Sequence, residues 1–370
     1  MLHHLSRTPR STHASREAGF SLVEIMVAML IGLIGIIIIT QAYLTSDKFN
    51  RSTLGEGGAQ VNGLIGLYSI ERDARMAGYG INNTTALGCG AVSWYYSPNY
   101  SPDITTGSPL SVIRIVPVYI TTDTVTPANP DSLTIMYSSN DERAVPTAII
   151  SWASATPEVT VDGTVGFVNG NMVLMVKRAS TGGCAMAKIS SAPTATKLQF
   201  LSGASNPTNP AGWGSLPTGY TTNDIVYNLG TPVVRTYSIV QEKLRVTDAL
   251  QAAAGTAPMD IVDGVVDFRA EYGKDTDNDG TVETWDKTAP TTSAAWQQVQ
   301  VIRVAVLARI GNYERPTVAG ANCDATTTAP TWAGGSFPAI DVATATSQDR
   351  CYRYRSFETT VPLRNMIWRQ

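Results

Sequence analysis

The chain has 370 residues, with 27 basic against 30 acidic side chains, four cysteines and three histidines. Charged residues make up 15% of it, against about 25% in an ordinary globular domain; a net charge of −3 with no basic block argues against a nucleic-acid surface. His3, His4 and His13 all precede residue 20. A chain that loses this segment has no imidazole, which excludes Ser-His-Asp and Cys-His catalysis and histidine-ligated zinc.

Residues 1–19 are polar and carry Arg7, Arg10 and Arg16 against Glu17. From Phe20 to Ile39 every residue is apolar or glycine except Ser21 and Glu24. At about 1.5 Å rise per residue such a run spans a bilayer core. The arginines before it place the N-terminus in the cytoplasm and everything after residue 45 across the inner membrane. A cleaved secretory signal needs a small-x-small site, which Thr40-Gln41-Ala42 matches poorly. A plain anchor leaves Glu24 unexplained, since a carboxylate in an apolar span costs roughly 2.5–3.5 kcal/mol and is rare without a role.

The stretch Gly19-Phe20-Ser21-Leu22-Val23-Glu24, followed by Ile25-Met26-Val27-Ala28-Met29-Leu30, resembles the class III signal of type IV prepilins and pseudopilins. The resemblance implies that a prepilin peptidase cuts between Gly19 and Phe20, so that 1–19 is a leader. It also implies that Phe20 is N-methylated and that Glu24 meets the terminal amine of a neighbouring subunit. A buried carboxylate is tolerable when an ammonium meets it. The family's helix extends beyond the membrane, and here a helix over 20–80 with its membrane and assembly segment at 20–44 is expected. Val61, Leu64, Ile65 and Tyr68 follow helical spacing, and Gly78 and Gly80 read as its stop. Gly55, Gly57 and Gly58 each cost about 1 kcal/mol relative to alanine in a helix, so a kink or local melting is expected there.

After residue 80 the pattern changes to short β-rich runs. Leu110–Ile120, Ser132–Ser138, Met172–Arg178, Lys197–Leu201, Val233–Val246, Val299–Ile310 and Tyr352–Leu363 read as strands. The Val299 run is expected to be central, with Arg303 as its exception. Residues 97–109, 203–223 and 313–349 read as turn-rich loops. The fold class is therefore α+β: a long N-terminal helix packed on a large antiparallel β-rich domain over 81–370. Arg235-Thr-Tyr-Ser-Ile239 to Leu244-Arg245, Ile261-Val-Asp-Gly-Val265 to Tyr272-Gly273, and Pro362-Leu363-Arg364-Asn365 resemble the body of PilW-type minor pilins, to which J-type pseudopilins of type II secretion are related. Residues 81–230 carry little of that resemblance.

Cys323 and Cys351 bracket a loop between two predicted strands, and outside the cytoplasm disulfides are expected. A bridge between them leaves Cys89–Cys184 by elimination. Closing the C-terminal loop would contribute roughly 3–4 kcal/mol in the loop-entropy model.

The most chemically loaded stretch runs from Lys274 to Asp286. Against the twelve-residue calcium loop, Asp275, Asp277 and Asp279 take positions 1, 3 and 5, with Gly280 at 6. Thr281 would offer its carbonyl at 7, Glu283 falls at 9 and Asp286 at 12. Calcium takes six to eight oxygens, and alternating carboxylates on a tight turn supply them. Without flanking amphipathic helices this is an isolated loop, and a plain acidic turn has the same residues. Structural Ca²⁺ is the favoured reading.

No GxSxG, Walker or dinucleotide motif is present. Trp94, Tyr95, Tyr96 and Tyr100 read as self-packing in their loop, and Arg353, Arg355 and Arg364 as a solvated face. The reading is a non-enzymatic minor pilin. By resemblance it would act in initiation of type IV pilus assembly, in a tip complex with other minor pilins and the assembly machinery, possibly with an adhesin, and so serve adhesion and twitching motility. The alternatives are a J-type pseudopilin and a membrane-anchored periplasmic hydrolase or lectin.

Overall fold

The computed structural model describes residues 20–81, 86–87, 92–93, 114–123, 125–140, 146–153, 157–178, 184–200, 220–249, 256–316, 318 and 320–367. The chain divides into two compact units, residues 1–54 and 55–370. Helix α1, Leu22–Met76, runs through both. Within the first unit, Leu22–Asp47 is long and apolar enough to cross a membrane, and its side chains are exposed throughout.

The helix continues without interruption through Gly55, Gly57 and Gly58, so the expected melting does not occur. Gly55 has a packing reason: a Cβ there would lie 3.0 Å from Ile310 Cγ2. Gly57 and Gly58 face open space, and nothing in the structure explains them. The helix ends at Met76. Gly78 (φ +79°) and Gly80 (φ +74°) turn the chain away through backbone conformations that side chains resist.

The β body holds three larger sheets and a hairpin. The five-stranded sheet has the order β12-β11-β10-β3-β2. Its strands are β2 (Val118–Thr121), β3 (Ser132–Tyr137), β10 (Val233–Val240), β11 (Lys243–Asp248) and β12 (Met259–Asp263). The four-stranded sheet has the order β14-β13-β15-β18, from β13 (Val265–Lys274), β14 (Thr284–Asp286), β15 (Val299–Arg309) and β18 (Tyr354–Pro362). The seven-stranded sheet has the order β1-β7-β6-β9-β4-β5-β8. It contains β1 (Val92–Ser93), β4 (Thr147–Ala153), β5 (Glu158–Val161), β6 (Met172–Val176), β7 (Cys184–Lys188), β8 (Lys197–Gln199) and β9 (Ile225–Gly230). Among the described residues every strand pairing is antiparallel except β1 with β7. The β16–β17 hairpin is Thr331–Trp332 with Gly335–Ser336. Short helices α2 (Ser293–Gln297) and α3 (Arg364–Ile367) complete the described elements used below.

The main core lies where α1 meets two sheets: Leu67, Ile70 and Ala74 of the helix pack with Leu244 from β11 and with Val304 and Val361 from β15 and β18. A second core joins Val234 and Met136 to Leu174 and Tyr227 of the seven-stranded sheet. Burying such side chains stabilises by about 1.5–3 kcal/mol each.

Two expectations need correcting. Val233–Val246 is not one strand but the hairpin β10–β11, turning at Gln241 (φ 52°) and Glu242 (φ 59°), a turn without the usual Gly, Asn or Asp. Residues 313–349 are more than turns: Trp332, Phe337 and Ile340 pack onto Ala305 and Leu307 of β15. The Cys323–Cys351 disulfide closes that segment over a separation of 28 residues, with Cα atoms 4.9 Å apart. Cys184 is also disulfide-bonded; Cys89 lies outside the described residues. So do residues 1–19, including Gly19, and the aromatic loop of Trp94, Tyr95, Tyr96 and Tyr100.

Candidate assembly face and acidic loop

Phe20 stands at the start of α1 and is 79% exposed. Glu24 lies in the first helical turn, where the positive end of the helix dipole favours a carboxylate. Around it the surface is apolar, with Leu22, Val23, Met26 and Val27 all exposed. Such a surface needs a membrane or other helices to cover it.

Between residues 55 and 76 α1 has two unlike faces. The face on the sheets buries Leu67 and Ile70 among small residues. A Cβ on Gly63 would come within 2.3 Å of the Phe357 ring, and one on Gly66 within 2.9 Å of Leu244 Cδ2; Ala59, Ala74 and Ala77 are buried beside them. The opposite face carries Val61, Leu64, Ile65 and Tyr68, exposed by 55%, 49%, 45% and 64%. The apolar stripe visible in the sequence is thus the outward one.

The segments singled out as family-like meet the end of α1. Tyr237 donates its hydroxyl hydrogen to buried Asp73 (2.7 Å), and Arg235 Nη1 donates to the same carboxylate (3.0 Å). Burial, and then the Asp73 charge, hold the Tyr237 phenol well above its usual pKa. Asn365 Nδ2 donates to the carbonyls of Met76 and Ala77, both at 3.1 Å, which satisfies carbonyls that a helix end leaves without partners. Leu363 and Met366 beside it are fully buried.

On the sheet face away from α1 the charges are buried. Arg269 donates to Asp267 (3.1 Å) and to the carbonyls of Pro127 and Ala128. Burial pushes the Asp267 carboxyl up to about 6 against the pull of Arg269. Arg303, the exception on β15, lies 3.9 Å over the Trp285 ring and 3.6 Å from Glu271.

The acidic loop joins β13 to β14. Carboxylate oxygens of Asp275, Asp277, Asp279 and Glu283 lie within 4.8 Å of one another. Asp275 is buried and accepts from Gly280 N–H (2.9 Å) and Gln300 Nε2 (2.5 Å). Asp279 accepts from Thr281 N–H (2.7 Å), and Glu283 from Thr276 N–H (2.8 Å). The turn passes through Asn278 (φ 62°) and Gly280 (φ 90°). Asp286 is held elsewhere, by Lys274 Nζ at 2.7 and 2.8 Å, and stands outside the group. The residues at positions 1, 3, 5 and 9 therefore lie together, and the one at position 12 does not.

Residues 226–365 match the family model "Type IV Pilus-assembly protein W", and residues 14–40 match "Prokaryotic N-terminal methylation motif". The chain is thus similar to PilW proteins over its C-terminal part and to prepilins at its N-terminus. The methylation motif spans Gly19, Phe20 and Glu24. The PilW-like part contains Arg235, Tyr237 and Asn365, which grip the end of α1, and the acidic loop; residues 41–225 lie outside both models. Among solved structures, the type IV-like pilin TTHA1219 from Thermus thermophilus is 18% identical, with 38% of this chain and 69% of that one covered at a TM-score of 0.21, a likeness that carries no argument. No curated protein matches.

Proposed function

We propose that the chain is a minor pilin of the PilW type that acts at the start of type IV pilus assembly, in a complex at the pilus tip with other minor pilins and an adhesin. The observation that carries the reading is α1. It is strongly apolar over Leu22–Asp47 and keeps an exposed apolar stripe at Val61, Leu64, Ile65 and Tyr68 where its other face is already covered. A helix of that kind suits side-by-side packing with other helices. On this reading prepilin peptidase removes residues 1–19, leaving 24 basic and 29 acidic residues and no histidine. A chain without an imidazole fits a scaffold better than a hydrolase. The N-terminus is cytoplasmic and the β body periplasmic before assembly.

Gly19→Val should leave uncleaved precursor in the membrane and cells without pili; normal piliation by that variant would sink the reading. A J-type pseudopilin would share the geometry, and gene deletion separates the two: lost pili for one, retained exoproteins for the other.

The acidic loop is proposed as a structural calcium site held by Asp275, Asp277, Asp279 and Glu283, with the Thr281 carbonyl and water completing the shell, and Cys89 as the partner of Cys184. At about ten times a millimolar-range dissociation constant, calcium would add roughly 1.4 kcal/mol of stability. That should appear as a rise in Tm that EDTA reverses and Asp275→Asn removes. No calcium-dependent change in Tm would rule the site out.

A further inference from the structure

The outer strand β18 ends its sheet with an open hydrogen-bonding edge. Ile310 N–H donates to the Arg353 carbonyl (2.8 Å) at one end, and Leu363 N–H to the Gln300 carbonyl (2.7 Å) at the other. The register between runs from Arg309↔Tyr354 to Val301↔Pro362 without a bulge. Bonded pairs alternate in an antiparallel ladder. Arg355, Phe357, Thr359 and Val361 therefore turn their backbone groups to β15, and Tyr354, Ser356, Glu358 and Thr360 turn theirs outward. Among the described residues none of those four N–H groups has a backbone partner, and Ser356, Glu358 and Thr360 are exposed.

Natural edges are blunted by shortness, bulges, charge or proline. The other described sheet edges follow that rule: β14 and β8 have three residues, β2 four. β12 has five residues, a register shift against β11, and Asp260 paired to Lys243 and Arg245. β18 has nine residues, with proline only at its last position. We propose that β18 is a docking edge for an extended segment of another, different polypeptide, added as a fifth strand to this sheet.

Direction decides against an antiparallel pair with a second copy. Glu56 lies against Arg355, Gly63 against Phe357, and Met76 against Asn365, so this part of α1 and β18 run the same way. An antiparallel β18–β18 pair would set the two helices antiparallel, which copies anchored by their N-termini in one membrane cannot do. This constraint, and only this, rests on the pilin reading. The opposite edge, β14, has three residues and covers too little. The chemistry along β18 describes the guest: apolar or β-branched residues beside Phe357 and Thr359 on the α1 side, and a lysine or arginine on the other, beside Glu358, one of whose carboxylate oxygens already accepts from Ala333 N–H (2.8 Å).

The test is residue-resolved amide exchange on the full-length protein, alone in detergent and in assembled membranes from piliated cells. In the isolated chain the Tyr354, Ser356, Glu358 and Thr360 amides should exchange at least on the order of tenfold faster than those of Phe357 and Thr359, and slow by a similar factor on assembly. Equal protection in the isolated chain, or no slowing on assembly, would overturn the proposal. Ser356→Pro with Thr360→Pro removes two outward donors without touching the β15 ladder. It should keep the Tm and the processing but lose assembly, whereas Ser356→Ala with Thr360→Ala should assemble; a proline pair that assembles normally overturns the proposal. Should the proline pair misfold, the exchange result decides. A disulfide-linked homodimer of Ser356→Cys would overturn the choice of a different chain. Assembly that survives Gly19→Val but is lost in the folded proline pair would remove the pilin reading and leave the docking edge standing.

Discussion

The two faces of α1 between residues 55 and 76 use opposite means of making contact. The inner face buries Leu67 and Ile70 between small residues, and at Gly55, Gly63 and Gly66 the helix comes close enough for Ile310, Phe357 and Leu244 to fill the space a side chain would take. The outer face holds Val61, Leu64, Ile65 and Tyr68 with nothing over them in the isolated chain. The difference teaches that bulk alone does not mark the core: the buried side includes Gly63 and Gly66, where a side chain would not fit. The inner contacts are fixed by shape within one chain, and the outer ones await another.

That contrast breaks most easily from the inside. Gly63→Val places atoms inside the Phe357 ring and should lower stability by about 3 kcal/mol in denaturant unfolding of the detergent-solubilised protein. Should it cost nothing, the close approach of α1 to β18 is wrong. Next in size is a pH effect from the far side of the sheet. Asp267 titrates near 3.8 in an unfolded chain and at about 6 in the fold, so between these values the native state binds more protons than the unfolded one. Stability should therefore fall as pH rises from about 4 to 6, by at most about 3 kcal/mol at roughly 1.4 kcal/mol per unit. Asp267→Asn should flatten this slope and no change on either face of α1 should; a slope unaltered in Asp267→Asn would assign it to another group. Smallest in stability is the outer face. Leu64→Ser with Tyr68→Ser should move the unfolding midpoint by no more than about 0.5 kcal/mol, yet reduce recovery of the protein with other pilins. A large loss of stability would mean that this face is already buried.

The N-terminal signal was legible because it is local: residue types at fixed spacing next to a run long enough for a membrane. Strands β3, β15 and β18 were legible as short β-rich runs, and the central place of β15 from its alternation with Arg303 as the exception. Strand β13 was not, because Asp267, Arg269 and Glu271 on its far face look like a solvent side and are in fact buried among partners. The inner face of α1 was missed for the reason given by its chemistry, since glycine and alanine contribute little to an apolar pattern. The convergence of Asp275, Asp277, Asp279 and Glu283 was readable from loop spacing; the capture of Asp286 by Lys274 was not, because it depends on the pairing of β13 with β14.

The account rests on processing at the start of the apolar helix, and one measurement reaches it directly: the mass of the N-terminal peptide of the protein purified from its own membrane. The account predicts a chain that begins at Phe20 and carries one added methyl group on its amine. A chain that begins at Met1, or one cut beyond residue 40, would contradict it.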